Sequence, residues 1–108
     1  MEQMAVVAVS QWQANPGRLA DLIAAARLAP PVHLRYGGRS RLLTATVAGP
    51  NTGILTFITE FDDMAAYAKW SDGIGADPEW QALAAKHITA ADAPGKLISA
   101  SLLRDLPI

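Results

Sequence analysis

A chain of 108 residues, 51% hydrophobic and 18% charged, has the size and apolar content of one folded domain, residues 1–108, and is too apolar for disorder. Its 9 basic and 10 acidic residues leave a net charge of −1, which excludes the basic footprint that phosphate backbones require, so no nucleic-acid partner is expected. The absence of cysteine removes disulfides, thiolate metal sites and cysteine nucleophiles together, and fits a reducing, cytoplasmic setting.

Met1-Glu2-Gln3-Met4 lacks the basic region of a signal peptide, and no apolar stretch approaches the roughly 20 residues a spanning helix needs, so no membrane partner is expected. Ala5 to Trp12 is valine-rich without clean alternation, the mark of a strand covered on both faces. Asn15-Pro16-Gly17 then reads as a helix start, with Asn15 as cap and Pro16 in the first position. Leu19, Leu22, Ile23 and Ala26 make one apolar stripe on that helix. Pro30-Pro31 must kink it, and one or two further turns through Tyr36 stop at Gly37-Gly38.

Arg41 to Ala48 and Ile54 to Phe61 are two strands joined through the turn residues Gly49-Pro50-Asn51-Thr52-Gly53. Asp62 and Asp63 cap a helix that runs to about Ile74, with Met64, Tyr67, Ala68 and Ser71 along one side. Asp77-Pro78-Glu79 restarts a helix that carries Trp80, Leu83, Ala84 and His87 on one face. Pro94-Gly95 breaks the chain before a last strand, Leu97 to Leu103.

The order is β-α-β-β-α-β, which predicts an α+β, ferredoxin-like domain: a four-stranded antiparallel sheet with two interrupted helices on one face. Adjacent apolar pairs such as Val6-Val7, Leu42-Leu43 and Leu102-Leu103 place apolar side chains on both faces of the sheet. A second copy of the same sheet is the simplest cover for the bare face, so a homodimer is expected.

Three stretches, Leu43-Thr44-Ala45-Thr46-Val47-Ala48-Gly49-Pro50-Asn51-Thr52-Gly53, Glu60-Phe61-Asp62-Asp63-Met64-Ala65-Ala66-Tyr67 and Ala76-Asp77-Pro78-Glu79-Trp80-Gln81, resemble the dimeric α/β-barrel superfamily, and within it the NIPSNAP-like small bacterial proteins. The resemblance implies a homodimeric barrel with a pocket between sheet and helices in each subunit. Relatives include cofactor-independent oxygenases, lactone isomerases, aromatic cyclases and haem-using enzymes. The matching residues are turns, caps and packing positions, so they carry a scaffold and no catalytic motif.

No dinucleotide fingerprint, P-loop, serine elbow or His-Glu-x-x-His motif occurs. His33 and His87 stand on different helical pieces without a carboxylate at ligand spacing, so no metal site is expected. One histidine suffices as a haem axial ligand, which makes His87 the residue to watch, but a histidine at a helix C-terminus is ordinarily placed by the helix dipole, and no cofactor is expected. His33, Arg35 and Tyr36, near Arg39 and Arg41, could form an anion-binding mouth, although solvated charges explain the arginines as well. Trp12, Tyr67 and Trp70 are the candidate walls of a ligand pocket, with core packing as the competing role. Glu60 closes a strand; burial would make it a general base, and a salt bridge at the strand end is the structural alternative.

Two readings result. One is a cofactor-independent enzyme of oxygenase, isomerase or cyclase type acting on a small apolar or aromatic compound, with His33, Glu60, Tyr67 and His87 as catalytic candidates. The other is a non-enzymatic homodimeric binding protein. The two differ in whether an enclosed pocket exists and in what faces into it.

Overall fold

A computed structural model describes residues 5–45 and 53–106. The strands are β1 (Val6–Ala14), β2 (Arg39–Thr44), β3 (Ile54–Phe61) and β4 (Gly95–Arg104), and the helical segments are α1 (Leu19–Ala26), α2 (Ala29–Arg35), α3 (Met64–Gly75) and α4 (Pro78–His87). They form one antiparallel sheet in the order β2-β3-β1-β4, so both central strands, β3 and β1, come from opposite halves of the chain. This is the ferredoxin-like plan, with each of the two helices split into two segments. The expected turn at 49–53 and the end of the strand expected to reach Ala48 lie largely outside the described residues.

The helix starts follow side-chain chemistry that is local in sequence. The Asp63 carboxylate accepts from the Ala66 amide at 2.8 Å and caps α3, while Asp77 accepts from the Trp80 amide at 2.9 Å and caps α4 ahead of Pro78. Asp62 is no cap; it pairs with Arg39 at 3.0 Å. Asn15 is also not a cap. The Asn15 carbonyl accepts from Arg18 N–H at 2.9 Å around Pro16 and Gly17, whose φ of +74° completes a type II turn. α1 therefore starts later, after Arg18. The Asn15 side chain instead donates to the Ala93 carbonyl at 2.9 Å, and its backbone N–H to that of Pro94 at 2.9 Å, tying the end of β1 to the start of β4.

Pro30 and Pro31 do not kink a continuous helix. α1 closes at Ala26, Arg27 and Leu28 intervene, and the prolines occupy the first turn of α2, where a missing N–H breaks no helical hydrogen bond. α2 then ends where the Tyr36 and Gly38 amides both donate to the His33 carbonyl, with Gly37 at a φ of +89°.

Strand register assigns the two sheet faces. Val6, Ala8, Ser10 and Trp12 of β1 stand opposite Phe61, Thr59, Phe57 and Leu55 of β3, and this set faces the helices. Val6, Leu55, Phe61 and, from α2, Val32 are the largest fully buried side chains. Leaving water stabilises each by roughly 1.5–3 kcal/mol. The other face carries Val7, Val9, Ile58, Leu43 and Leu103, mixed with Gln11, Thr56, Ser99, Ser101 and the Arg39–Glu60 pair. Within one chain that face is open: Leu43 is 45% and Leu103 52% exposed. β1 is accordingly half-buried apart from Val6, where a strand covered on both faces was expected.

Candidate functional site

Between the helix-facing side of the sheet and the four helical segments lies a partly open cavity of about 470 Å³, within the roughly 300–1,000 Å³ range of small-molecule sites. Its floor is the inner face of β1 and β3, its roof comes from all four helical segments, and Ala100 and Leu102 of β4 border it on the side where the sheet is exposed. Among the described residues, no Asp, Glu, Lys or Arg lines it.

His33 and Thr59 are the two buried polar side chains on this lining among the described residues, and His33 is the one ringed by aromatic side chains. It projects from the second turn of α2 and is 4% exposed. The rings of Trp80, Trp70 and Phe57 surround it, at centroid distances of 4.9, 5.5 and 5.6 Å. The Trp70 indole Nε1–H donates to His33 Nδ1 at 3.0 Å. Indole nitrogen can only donate, so Nδ1 must be the unprotonated nitrogen and Nε2 carries the hydrogen. Burial pushes the His33 pKa down from 6.5 to about 4, so the ring is neutral at ordinary pH.

The aromatic wall is itself held by a second group of contacts behind it. Asp77 accepts from the Tyr36 hydroxyl at 2.5 Å and from Arg35 Nη2 at 2.8 Å, besides capping α4. The Tyr36 hydroxyl, then the Trp80 amide, then Arg35 hold the Asp77 pKa down to about 2, against the opposing effect of its burial. Asp77 thus joins the end of α2 to the start of α4 and seats Trp80 against His33. Phe61, Tyr67 and Trp70 continue the wall on α3 and β3, with centroids 5.1 to 5.6 Å apart.

Of the residues singled out from the sequence, His33, Tyr67, Trp70, Trp12 and His87 all border the cavity. Glu60 does not. Register puts it on the opposite sheet face, 3.1 Å from Arg39, with the carboxylate 45% exposed. The anion-binding mouth is not formed either. Arg35 is engaged by Asp77 and Glu79, the Tyr36 hydroxyl is donated to Asp77, and Arg39 is engaged by Glu60 and Asp62. Only His33 of that group faces the cavity. Among the described residues no group of three or more His, Asp or Glu side chains is placed to hold a metal ion. None of the described helices is long and apolar enough to cross a membrane.

Phe57 and Ser10 also belong to the site and were not singled out beforehand. Ser10 sits in the floor with its Oγ accepting from Trp12 Nε1 at 2.8 Å, which leaves the hydroxyl hydrogen free to turn toward a ligand. The apolar run of β1 does not alternate cleanly, so the sequence carried no local signal for Ser10, and its register against Phe57 is visible only once the sheet is formed.

No protein-family model and no curated protein sequence matches this chain. Solved structures do. A NIPSNAP-domain protein of Burkholderia xenovorans superposes with a TM-score of 0.66 at 19% identity, covering 95% of this chain and 94% of that one. The cofactor-independent oxygenase SnoaB of Streptomyces nogalater gives 0.66 at 19% identity, covering 92% and 90%. A protein of Shewanella oneidensis gives 0.61 at 22% identity, covering 96% and 91%. The chain shares their ferredoxin-like fold. The ferredoxin-like scaffold that the resemblance implied is therefore met by the whole architecture. Identity at this level carries the scaffold and leaves the chemistry to be argued from the site.

Proposed function

We propose that this protein encloses a small, mostly apolar, ring-bearing compound between its sheet and its helices and acts on it without a resident cofactor, as a homodimer joined through the open sheet faces. The observation that carries the ligand is the aromatic-walled cavity of about 470 Å³, lined by no charged side chain among the described residues, with a buried imidazole in its wall. Rings stack on Trp and Tyr faces, and a few polar groups suffice to orient them. Cofactor-independent oxygenation of an electron-rich ring is the reaction class we favour, supported by the fold shared with SnoaB. The dimer is supported by the exposed apolar side chains of the open face, Leu43 and Leu103 among them.

Because Trp12, Trp70 and Trp80 all border the cavity, titration with naphthalene and 1-naphthol should quench tryptophan fluorescence saturably. Oxygen uptake with a panel of naphthols and hydroquinones then tests turnover. Absence of saturable binding would remove the ligand reading. Sedimentation at micromolar concentration is expected to show a dimer, and a stable monomer would remove that part.

The same lack of charged groups favours a second reading, binding without turnover. Cavity-side alanines such as Ala8, Ala25, Ala29 and Ala100 supply shape and no chemistry. Saturable binding with no oxygen uptake and no product across the panel would decide for it.

A further inference from the structure

We infer that His33 serves as a fixed neutral hydrogen-bond donor whose Nε2–H selects ring compounds bearing an acceptor oxygen, a carbonyl, phenol or phenolate, in this cavity. The inference rests on the ligand-cavity reading and adds to it the polar feature that the ligand must carry.

Three observations combine. Trp70 Nε1–H points at His33 Nδ1 from 3.0 Å, and an indole cannot accept, so the exchange of roles that would free Nδ1–H is blocked. A proton added to Nδ1 would face the indole hydrogen directly, inside a cage of Trp70, Trp80 and Phe57 that offers no counter-charge. The tautomer is therefore set by Trp70, and the ring neither donates through Nδ1 nor takes up a proton readily.

The remaining hydrogen needs a partner. His33 Nε2 has none among the described residues, yet no fully buried side-chain nitrogen or oxygen among them lacks one, so Nε2 opens onto the cavity that its side chain borders. Among the described residues no carboxylate lines that cavity to accept from it. Of the other hydroxyl and imidazole groups on the lining, Ser10, Thr59, Tyr67, His87 and Ser101, none is hydrogen-bonded to His33; Thr59 is paired with Ser40 at 3.1 Å and Ser10 accepts from Trp12. The ligand must bring the acceptor. A neutral donor in apolar surroundings favours an oxygen that carries or develops negative charge, and it gives a cationic ligand nothing. In a reaction that passes through an enolate or phenolate, the same hydrogen bond would strengthen as charge develops on that oxygen, with no proton leaving His33.

The test pairs naphthalene with 1-naphthol, which differ by one hydroxyl, and reads the tautomer separately. Long-range proton–nitrogen NMR on the ligand-free protein at pH 7 should show His33 neutral with its hydrogen on Nε2. A hydrogen on Nδ1, or a charged ring, overturns the inference without any ligand. Calorimetry on the wild type should show 1-naphthol binding about tenfold or more tighter than naphthalene. His33→Phe should erase that preference while keeping naphthalene affinity, and Trp70→Phe should reduce it while the NMR shows both tautomers populated. Equal binding of the two compounds to the wild type, or a preference that survives in His33→Phe, overturns the inference and leaves the cavity reading standing. Failure of either compound to bind the wild type overturns the cavity reading itself, and the inference with it.

Discussion

The ring of Tyr36 lies directly against the backbone of Gly73, in the volume that a Cβ at that position would occupy. From there the Tyr36 hydroxyl reaches Asp77, whose other oxygen caps the helix carrying Trp80. The missing methyl group on α3 is thus the clearance that lets α2 and α4 be joined.

Gly73→Ala puts two opposing effects in competition. In an exposed helix interior, alanine is better than glycine by about 1 kcal/mol. Here the new Cβ would overlap three atoms of a ring held at its far end, and overpacking of that kind costs about 1–3 kcal/mol. The clash should win, giving a lower Tm and a weaker Trp80 near-ultraviolet signal. In a Tyr36→Ala background the sign should reverse, because the obstruction is gone and only the helix preference remains. A cycle of the four proteins by thermal unfolding checks this, and two independent effects that simply add would contradict it.

Acid should weaken the fold in two adjoining stages. The unfolded chain protonates His33 near 6.5, but the folded protein resists until about 4, so the stability that the neutral ring contributes is complete above 6.5 and declines as pH falls from there to about 4. The amount is about 3 kcal/mol. Asp77 then takes over. Its carboxylate is held down to about 2 by Tyr36, the Trp80 amide and Arg35, so its contribution is complete above 3.8 and disappears as pH falls toward 2. Melting curves between pH 2 and 8 should flatten in the upper stage for His33→Phe and in the lower stage for Asp77→Asn. An unchanged upper slope in His33→Phe would assign that stage to another group.

What the sequence makes legible is what it encodes within a few residues. Asp63 and Asp77 cap their helices because the carboxylate and the amide it reaches are three residues apart. Asn15-Pro16-Gly17 was ambiguous for the same reason: an Asn-Pro start suits a helix cap and a type II turn equally, and the Ala93 carbonyl that decides the matter lies 78 residues away. The roles of His33 and Glu60 were hidden by distance as well. Trp70 is 37 residues from His33 and on another element, so nothing local announces the bond that sets its tautomer. Glu60 and Thr59 are neighbours in sequence, and strand alternation alone sends one to Arg39 on the open face and the other to Ser40 beside the cavity.

Glu60→Gln should accordingly leave the site untouched. Its carboxylate contacts Arg39 on the far side of the sheet, and a half-exposed surface pair contributes little. The 1-naphthol affinity should stay within about twofold of wild type. A loss beyond tenfold would mean that the two faces communicate, and calorimetry on the single variant suffices to see it.

Filling the cavity separates a binding space from a packing defect. Ala26 of α1 borders the cavity and is only half-buried, so a leucine there has room to extend over the floor without displacing a packed neighbour. Each added carbon that leaves water stabilises by about 0.8 kcal/mol at full burial, so Ala26→Leu should hold or raise the Tm. The same side chain occupies volume the ligand needs, and 1-naphthol and naphthalene should both weaken by about tenfold or more. Affinity and stability would then move in opposite directions, which a general loss of packing cannot produce. A variant that melts lower and binds as before would show the ligands sitting elsewhere than between the sheet and α1.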